Sequence, residues 1–498
     1  MDESWDEHAP EPARVATGVE GLDTVLCGGF TPDRMYLIEG DPGAGKTTLA
    51  IRFLLEGVRH GERVLYITLS ETKRELHAVA RSHGWSLNGI DLLELVASEE
   101  SLVADSQLTM FHPSEVELSE TTRMVLAEVE RSKPTRIVFD SLSEMRLLAQ
   151  NPLRYRRQIL ALKQFFIGRS CTVLLLDDRT SEATDLQLQS IAHGVITLEQ
   201  LAPEYGAERR RLRIVKMRGV RYLGGYHDFV IERGGLRVFP RLVAAQHHQE
   251  YHRDQIASGV TALDALVGGG LDRGTSTLLI GPAGSGKTTV ATQYAVAAAA
   301  RGEHAALFTF DETLGTLLAR SDSVGLAVRE QIESGRLRVQ QVDPAEWSPG
   351  EFADAVQRAV EPEAGPGAKV VVIDSLNGYL NAMPEERFLV IQLHEMLTYL
   401  SQQGVVTILV VAQHGLLGSG MLTPVDASYL ADAVVVLRYF ESAGRVRKAI
   451  SVMKKRSGSH EDTIRELTVG PGGVHVGEPL EQFQGILSGI PVLNGAPE

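Results

Sequence analysis

The chain has 498 residues, with 49 Lys+Arg against 64 Asp+Glu, and carries a formal charge of −15 at pH 7. This acidic balance argues against a general nucleic-acid-binding protein, because affinity for the phosphate backbone comes from clustered Lys and Arg. An apolar content of 43% excludes wholesale disorder, and two cysteines without metal-site spacing favour neither a disulfide framework nor a zinc site.

The first residues, MDESWDEHAPEPAR, are acidic and lack the basic and apolar regions of an export signal. The most apolar runs, Val370 to Ile373 and Ala433 to Leu437, are of strand length. A helix that crosses a bilayer needs roughly 20 apolar residues. We therefore expect a cytoplasmic protein without a membrane segment.

An internal repeat sets the domain organisation. The stretch ATGVEGLDTVLCGGF, which begins at Ala16, recurs as ASGVTALDALVGGGL from Ala257, and the lysines of the glycine loops that follow, Lys46 and Lys287, keep the same spacing of 241 residues. A period this long indicates a duplicated domain rather than a solenoid. The predicted organisation is an acidic tail (1–15), an N-terminal domain (16–243), a polar linker (244–256) and a C-terminal domain (257–498).

In each half, a short apolar strand leads into the glycine loop, and a helical stretch follows it. The strands are MYLIEG and STLLIG, and the helices are TTLAIRFLLEGVRHG and TTVATQYAVAAAARG. Further near-continuous apolar runs follow, RVLYITL, RIVFD and CTVLLLD in the first half and HAALFTF, KVVVID and VTILVVA in the second. Such runs are typical of strands buried on both faces of a parallel sheet. We predict an α/β fold of two tandem P-loop NTPase domains, each a mainly parallel sheet flanked by helices.

The glycine loops match G-x4-GK[ST], and each lies between a predicted strand and a predicted helix. Backbone N–H groups of such a loop converge on phosphate oxygens, the lysine reaches the outer phosphates, and the threonine offers its hydroxyl to Mg2+. A single match could be a glycine turn that caps a helix, but two matches in register argue against that. The predicted ATP-binding residues are Gly40, Gly43, Gly45, Lys46, Thr47 and Thr48, and Gly281, Gly284, Gly286, Lys287, Thr288 and Thr289.

Four acidic residues follow apolar strands after the P-loops. Asp140 and Asp374 stand where a carboxylate holds Mg2+ through water, together with Thr47 and Thr288. A strand-end Asp that caps the next helix is the alternative. Glu71 and Glu312 end the strand after each P-loop helix, where a carboxylate could polarise the attacking water. A first-turn acid that stabilises a helix dipole is the alternative here. No NKxD-like guanine-specificity segment occurs, so ATP is preferred over GTP.

Each half has a GxxxLD…GG opening, a P-loop, a strand-end acid and a late basic strand (VKMRG and VMKKRS). Two tandem domains of this kind resemble the KaiC family of clock ATPases and autokinases. The resemblance extends from about Gly18 to Ile490. It implies RecA-like domains in a double-ring homohexamer that binds ATP between neighbouring subunits. It also implies hydrolysis in the N-terminal ring and autophosphorylation in the C-terminal ring.

The resemblance also assigns catalytic residues. The family has a Glu-Glu pair in each half, which is Ser70-Glu71 in one half of this chain and Asp311-Glu312 in the other. Its basic residues that reach a neighbour's ATP match Lys216 and Arg218, and Lys454 and Arg456. Because side chains alternate along a strand, the two residues of each basic pair lie on one face, as contact with a neighbour's ATP requires. The alternative is that this face is the solvated face of an edge strand.

The phosphorylated Ser-Thr pair of the family falls in the segment DASYLADAVVVL. Ser428 takes the serine position, and Tyr429 replaces the threonine. We therefore expect phosphorylation at Ser428, with Tyr429 as a weaker site, unless Ser428 only caps a helix. The chain stops soon after GILSGIPVL, so an activator of the KaiA type is not expected, whereas a KaiB-like regulator is compatible with the resemblance.

The predicted function is that of a KaiC-like protein that binds Mg2+ and ATP, hydrolyses ATP and autophosphorylates, as a ring in signalling or timing. A RecA- or RadA-like DNA-dependent ATPase is one alternative. Its basic cluster would be Ala207 to Arg218, but the net charge and an aromatic content of 6% make DNA an unexpected partner. A nucleotide-gated scaffold without kinase activity is the other alternative.

Overall fold

The computed structural model describes residues 13–95, 113–149, 151–179, 186–203, 205–381, 389–413, 429–486 and 492–493. The chain divides into two units, Met1–Arg241 and Leu242–Glu498. Each unit contains one nine-stranded sheet with helices against it. The predicted fold class, two tandem α/β domains with mainly parallel sheets, is confirmed.

The sheet of the first unit has the strand order β3-β2-β4-β5-β1-β6-β7-β8-β9. The six strands from β3 to β6 are parallel, and β7 to β9 extend the sheet as antiparallel neighbours. The strands are β1 (Met35–Gly40), β2 (Val64–Thr68), β3 (Ile90–Glu94), β4 (Arg136–Asp140), β5 (Thr172–Asp178), β6 (Gly194–Leu201), β7 (Arg209–Met217), β8 (Tyr226–Glu232) and β9 (Gly235–Phe239). The helices are Leu22–Val25, Lys46–Arg59, Lys73–Ser82, Pro113–Ser132, Leu142–Ala149, Pro152–Phe166 and Leu186–Ile191.

The second unit repeats this architecture with the order β14-β13-β15-β16-β12-β17-β18-β19-β20. Its main strands are β12 (Ser276–Gly281), β13 (Ala305–Thr309), β14 (Leu337–Gln341), β15 (Val370–Asp374), β16 (Val406–Ala412), β17 (Ala433–Ser442), β18 (Arg445–Lys455), β19 (Arg465–Gly470) and β20 (Gly473–Pro479). Two short pairs are β10 (Gln255–Ile256) with β11 (Leu271–Asp272), and β21 (Phe483–Gln484) with β22 (Val492–Leu493). The helices are Thr261–Leu266, Lys287–Ala300, Leu314–Ser323, Val328–Glu333, Pro349–Val360, Leu376–Asn381 and Leu389–Gln402.

The central strands are buried on both faces, as the apolar runs predicted. Every residue of β2 and β4 is buried, and a separate hydrophobic cluster covers each face of the first sheet. The second sheet is covered on both faces in the same way. Burial of this kind fixes the positions of the strand ends, where the candidate site residues lie.

The segment 244–256, predicted to be a linker, belongs to the second unit. Ala244 is buried in the core of that unit, and the ring of His247 lies 5.2 Å from the ring of Tyr399. Gln403 donates a hydrogen bond to the backbone oxygen of His247 at 2.5 Å. Because these contacts involve only a few residues and a backbone carbonyl, they produce no apolar periodicity in the sequence that would have indicated packing of this segment.

Among the described residues, no helix combines the length and the apolar character that crossing a membrane requires.

Candidate nucleotide-binding sites

The two P-loops have the same backbone form. Each follows the central strand of its sheet, β1 or β12, and ends in a glycine that caps the next helix, with φ of 98° at Gly45 and 107° at Gly286. A side chain at Gly45 would also place its Cβ 2.7 Å from Cδ1 of Ile231. Only glycine fits this backbone comfortably, and the turn leaves the N–H groups at the start of the helix free of intrahelical partners.

In the first unit, the predicted phosphate-binding lysine is buried and fully hydrogen-bonded. Lys46 Nζ donates to the backbone oxygens of Gly40 and Asp41, both at 2.9 Å. It also forms an ion pair at 2.8 Å with Oδ1 of Asp178, the last residue of β5. Asp178 was missed by the sequence patterns, because it is brought to the P-loop only by the pairing of β1 with β5.

Asp140 and Thr47, the predicted magnesium residues of the first unit, are in direct contact. The Thr47 hydroxyl donates to Asp140 Oδ2 at 3.1 Å, and the Tyr66 hydroxyl donates to the same oxygen at 2.5 Å. Burial raises the pKa of the Asp140 carboxyl, although these hydrogen bonds oppose the shift. Burial and the neighbouring Asp140 hold the pKa of Tyr66 well above its usual range. The arrangement provides a hydroxyl and a carboxylate side by side, which is a donor set that suits Mg2+.

Glu71 lies in a turn three residues after the end of β2, before the helix that Thr72 caps. The Thr68 hydroxyl holds this turn by accepting from the Glu71 N–H at 3.0 Å and donating to the Glu71 carbonyl at 2.7 Å. The buried Oε2 of Glu71 has no hydrogen-bond partner in the part of the chain that the structure describes. Burial, with the charges of Asp140 and Glu75, raises the pKa of this carboxyl. Glu71 is therefore a carboxylate with increased proton affinity and an unused acceptor oxygen.

In the second unit, the corresponding residues line one cavity of about 600 Å³. Burial lowers the pKa of Lys287 to about 8, and its Nζ donates to the backbone oxygen of Pro282 at 2.8 Å. Desolvation raises the pKa of Asp374, against a hydrogen bond from Thr288. The predicted site residues that line the cavity are Gly284, Gly286, Lys287, Thr288, Thr289, Asp311, Glu312 and Asp374.

The two acids Asp311 and Glu312 have different partners. Asp311 Oδ2 accepts a hydrogen bond of 2.6 Å from Ser375, which follows Asp374. Glu312 accepts two hydrogen bonds from one guanidinium, at 3.1 Å from Nε and 2.9 Å from Nη2 of Arg320. The cavity is also lined by Arg320, Ser375 and Lys448, which the sequence motifs do not indicate because each lies outside the spacing that defines a P-loop protein.

The basic pairs lie at the other end of each sheet from the P-loops. Lys216 pairs with Val195 near the start of β6, and Val195 pairs with Leu37 near the start of β1, whereas Gly40 ends β1. Three residues of strand separate Leu37 from Gly40, which is about 10 Å. Lys216 donates to the backbone oxygen of Gln189, and Arg218 donates to that of Ser190 at 2.7 Å.

In the second unit, Lys454 and Arg456 occupy the equivalent positions. Lys454 donates to the backbone oxygen of Ala431 at 2.8 Å, and Arg456 donates to that of Tyr429 at 2.9 Å. The predicted phosphorylation site Ser428 lies outside the described residues, and Tyr429 is 56% exposed. The structure therefore brings the basic pair next to the segment that directly follows Ser428.

A family model described as the KaiC ATPase matches residues 15–243 and 256–481. The chain belongs to the KaiC ATPase family. It is 26% identical over 484 residues to the circadian clock oscillator protein KaiC of Picosynechococcus sp., covering 96% of this chain and 92% of that protein. It is also 26% identical to the circadian clock protein KaiC3 of Synechocystis sp., with 97% and 96% of the two chains covered.

The resemblance to the KaiC family that the motifs indicated is thus confirmed, and the two P-loop units are two KaiC ATPase domains. Each family match contains one complete P-loop and the acids that follow it. The roles of the individual residues remain predictions.

Proposed function

We propose that this KaiC-family protein binds one Mg-ATP in each unit and hydrolyses ATP mainly in the first. The observation that carries the proposal is the contrast between two otherwise matched sites: Glu71 has an oxygen without a partner among the described residues, whereas Glu312 is engaged by Arg320.

In the first unit, the P-loop N–H groups and Lys46 would bind the phosphates. Thr47 and Asp140 would hold Mg2+, which shields the charge that develops on the β- and γ-phosphates. Glu71 would orient a water toward the γ-phosphorus and accept its proton. The raised pKa of the Glu71 carboxyl supports this role, because a stronger proton acceptor assists the attack of a weak nucleophile.

We propose that Lys216 and Arg218, and Lys454 and Arg456, complete the ATP sites of a neighbouring subunit. Their position at the opposite end of the sheet from their own P-loop supports this assignment, since a chain alone could not supply both parts to one nucleotide. A closed ring satisfies every site when each subunit contributes a P-loop to one neighbour and a basic pair to the other. A homohexamer is the ring that the family resemblance implies.

Autophosphorylation of Ser428 by a neighbour's C-terminal ATP is the second part of the proposal. Arg456 binds the carbonyl of Tyr429, so a basic pair that reaches the neighbour's phosphates would bring the preceding serine with it. Asp311 is the better placed general base, because Glu312 has both oxygens occupied. The Ser428 oxygen would attack the γ-phosphorus, its proton would pass to Asp311, and ADP would leave.

A DNA-dependent motor has less support. In the basic strand that would be its binding surface, Arg210 pairs with Glu208 at 2.6 Å and Arg211 pairs with Glu199 at 2.9 Å. These carboxylates offset the charge that phosphate binding would need. Binding to single-stranded DNA that weakens steeply with salt would favour the motor over the ring ATPase.

Incubation with γ-labelled ATP and Mg2+ tests the proposal. We expect phosphate release, label on Ser428 that is lost in Lys287→Ala, and a light-scattering mass of about six chains. Phosphate release without label would leave an ATPase that is not an autokinase. Nucleotide binding without phosphate release or label would favour a scaffold, such as a platform for a KaiB-like regulator. A monomer that hydrolyses ATP at the full rate would contradict the ring.

A further inference from the structure

Arg320 connects three parts of the C-terminal site. It lies on the helix Leu314–Ser323, eight residues after Glu312. Its Nε and Nη2 donate to the two oxygens of Glu312, and its Nη1 donates to the Thr289 hydroxyl at 3.2 Å. Its side chain is 26% exposed and that of Glu312 is 21% exposed, so the pair is partly shielded from solvent.

The N-terminal unit has no arginine at the position that corresponds to Arg320. The two helices correspond, because Thr72 and Thr313 cap them and Leu76 and Leu317 are the buried residues four positions later. By the same register Val79 stands in the place of Arg320. No ion pair to Glu71 occurs among the residues that the structure describes.

We propose that Arg320 is a positioning residue that restrains Glu312 and thereby slows ATP hydrolysis in the C-terminal site. Hydrolysis requires the water oxygen to bond to the γ-phosphorus while the bond to the bridging oxygen breaks, with ADP leaving and the water proton passing to a carboxylate. Two directed N–H groups occupy both oxygens of Glu312, and a guanidinium fork matches a carboxylate closely. Glu312 is therefore held away from the role that Glu71 has, which is to orient the water and accept its proton.

The consequence is a longer lifetime for ATP in that site, which favours transfer to a protein hydroxyl over transfer to water. The inference rests on the proposed function, since it assigns different outcomes to the same bound nucleotide in the two units. The hydrogen bond from Arg320 to Thr289 fixes the guanidinium to the P-loop helix, so the restraint does not depend on a freely moving side chain.

The test uses the full-length chain in a Glu71→Gln background, which removes the N-terminal acceptor but keeps that nucleotide site. Arg320→Val introduces the residue found in the N-terminal unit. We expect kcat for phosphate release to rise at least about tenfold, since a freed general base contributes on the order of 10²- to 10⁴-fold. KM should stay within about twofold, because Arg320 acts on the acid rather than on ATP.

Two variants serve as controls in the same background. Arg320→Lys supplies one cation without the fork and should give a smaller rise. Arg329→Val removes an arginine that pairs with Asp322 at 3.3 Å on the exposed surface, and it should leave phosphate release unchanged.

The reciprocal change is Val79→Arg in a Glu312→Gln background, where only the N-terminal site retains its acid. Phosphate release should fall at least about tenfold, whereas Val79→Ala, which controls for lost packing, should not reproduce that fall.

Three results would overturn the inference: an unchanged rate in Arg320→Val, a raised KM without a raised kcat, or an equal effect of Arg329→Val. The proposed function fails separately, if neither the wild type nor the Glu312→Gln protein releases phosphate.

Discussion

Replacement of Asp178 by alanine should tighten ATP binding in the N-terminal site. The Asp178 carboxylate competes with phosphate for Lys46, to which it is joined at 2.8 Å, and it leaves a negative charge where the triphosphate must lie. The second unit has alanine at the corresponding position, because β5 and β16 correspond and Ala412 ends β16 as Asp178 ends β5.

The size of the effect follows from the exposure of the pair. The side chain of Lys46 is 9% exposed and that of Asp178 is 30% exposed, so solvent already weakens part of the attraction. A hydrogen bond to a charged group contributes about 1.5–3 kcal/mol, and the partial exposure favours the lower end. If the ATP-free protein loses about 1.5 kcal/mol of stabilisation from the Lys46–Asp178 pair, ATP binding becomes roughly tenfold tighter.

Calorimetry with a non-hydrolysable ATP analogue and Mg2+ would measure the change, in a Lys287→Ala background that leaves only the N-terminal site. Asp178→Asn should give a smaller gain, because an amide still accepts a hydrogen bond from Lys46 without the charge. Weaker binding in Asp178→Ala would refute the reasoning. It would mean that Asp178 holds Lys46 in its binding position or contributes to the metal site.

Three further predictions follow from the two sites. Asp140→Asn should raise the Tm of the metal-free protein at pH 7 while abolishing hydrolysis. Because burial raises the pKa of the Asp140 carboxyl in the folded protein, the stability present below the unfolded-state pKa is lost as the pH rises through the folded-state pKa, and asparagine avoids that loss. The ATP affinity of the C-terminal site should fall up to about tenfold per pH unit above pH 8, because Lys287, with its pKa of about 8, must then take up a proton to bind phosphate. Titration calorimetry in buffers of different ionisation enthalpy would detect this proton uptake. Lys46→Ala protein and Lys216→Ala/Arg218→Ala protein should each hydrolyse ATP poorly but recover partial activity when mixed and reassembled, whereas no recovery would contradict sites completed between subunits.

The parts of the site that the sequence predicts are those fixed by short spacing. The P-loop glycines, Lys46 and Thr47 lie within one turn and the start of one helix, so their relative positions are local. Asp140 is 93 residues from Thr47, but strand order in a parallel sheet brings its end to the P-loop, and the hydrogen bond between them agrees with that expectation.

The parts that sequence patterns miss depend on a single tertiary contact. Asp178 reaches Lys46 because β5 pairs with β1, and an acid at a strand end does not reveal which lysine it will meet. Arg320 is one arginine on an otherwise ordinary amphipathic helix, and its significance appears only when both Glu312 oxygens are found bonded to it. Of the extension β7 to β9, the sequence predicts only the late basic strand, which is the end of β7; the antiparallel pairing and β8 and β9 have no such signal, since these strands alternate polar and buried residues instead of forming apolar runs.

The central claim is that the two ATP sites differ in chemistry because Glu71 is available as a proton acceptor and Glu312 is not. Steady-state phosphate release by the full-length Glu71→Gln and Glu312→Gln proteins, with ATP binding checked in each, tests it most directly. We predict that Glu71→Gln loses most of the phosphate release and that Glu312→Gln retains it. Full activity in Glu71→Gln, or loss of activity only in Glu312→Gln, would contradict the claim.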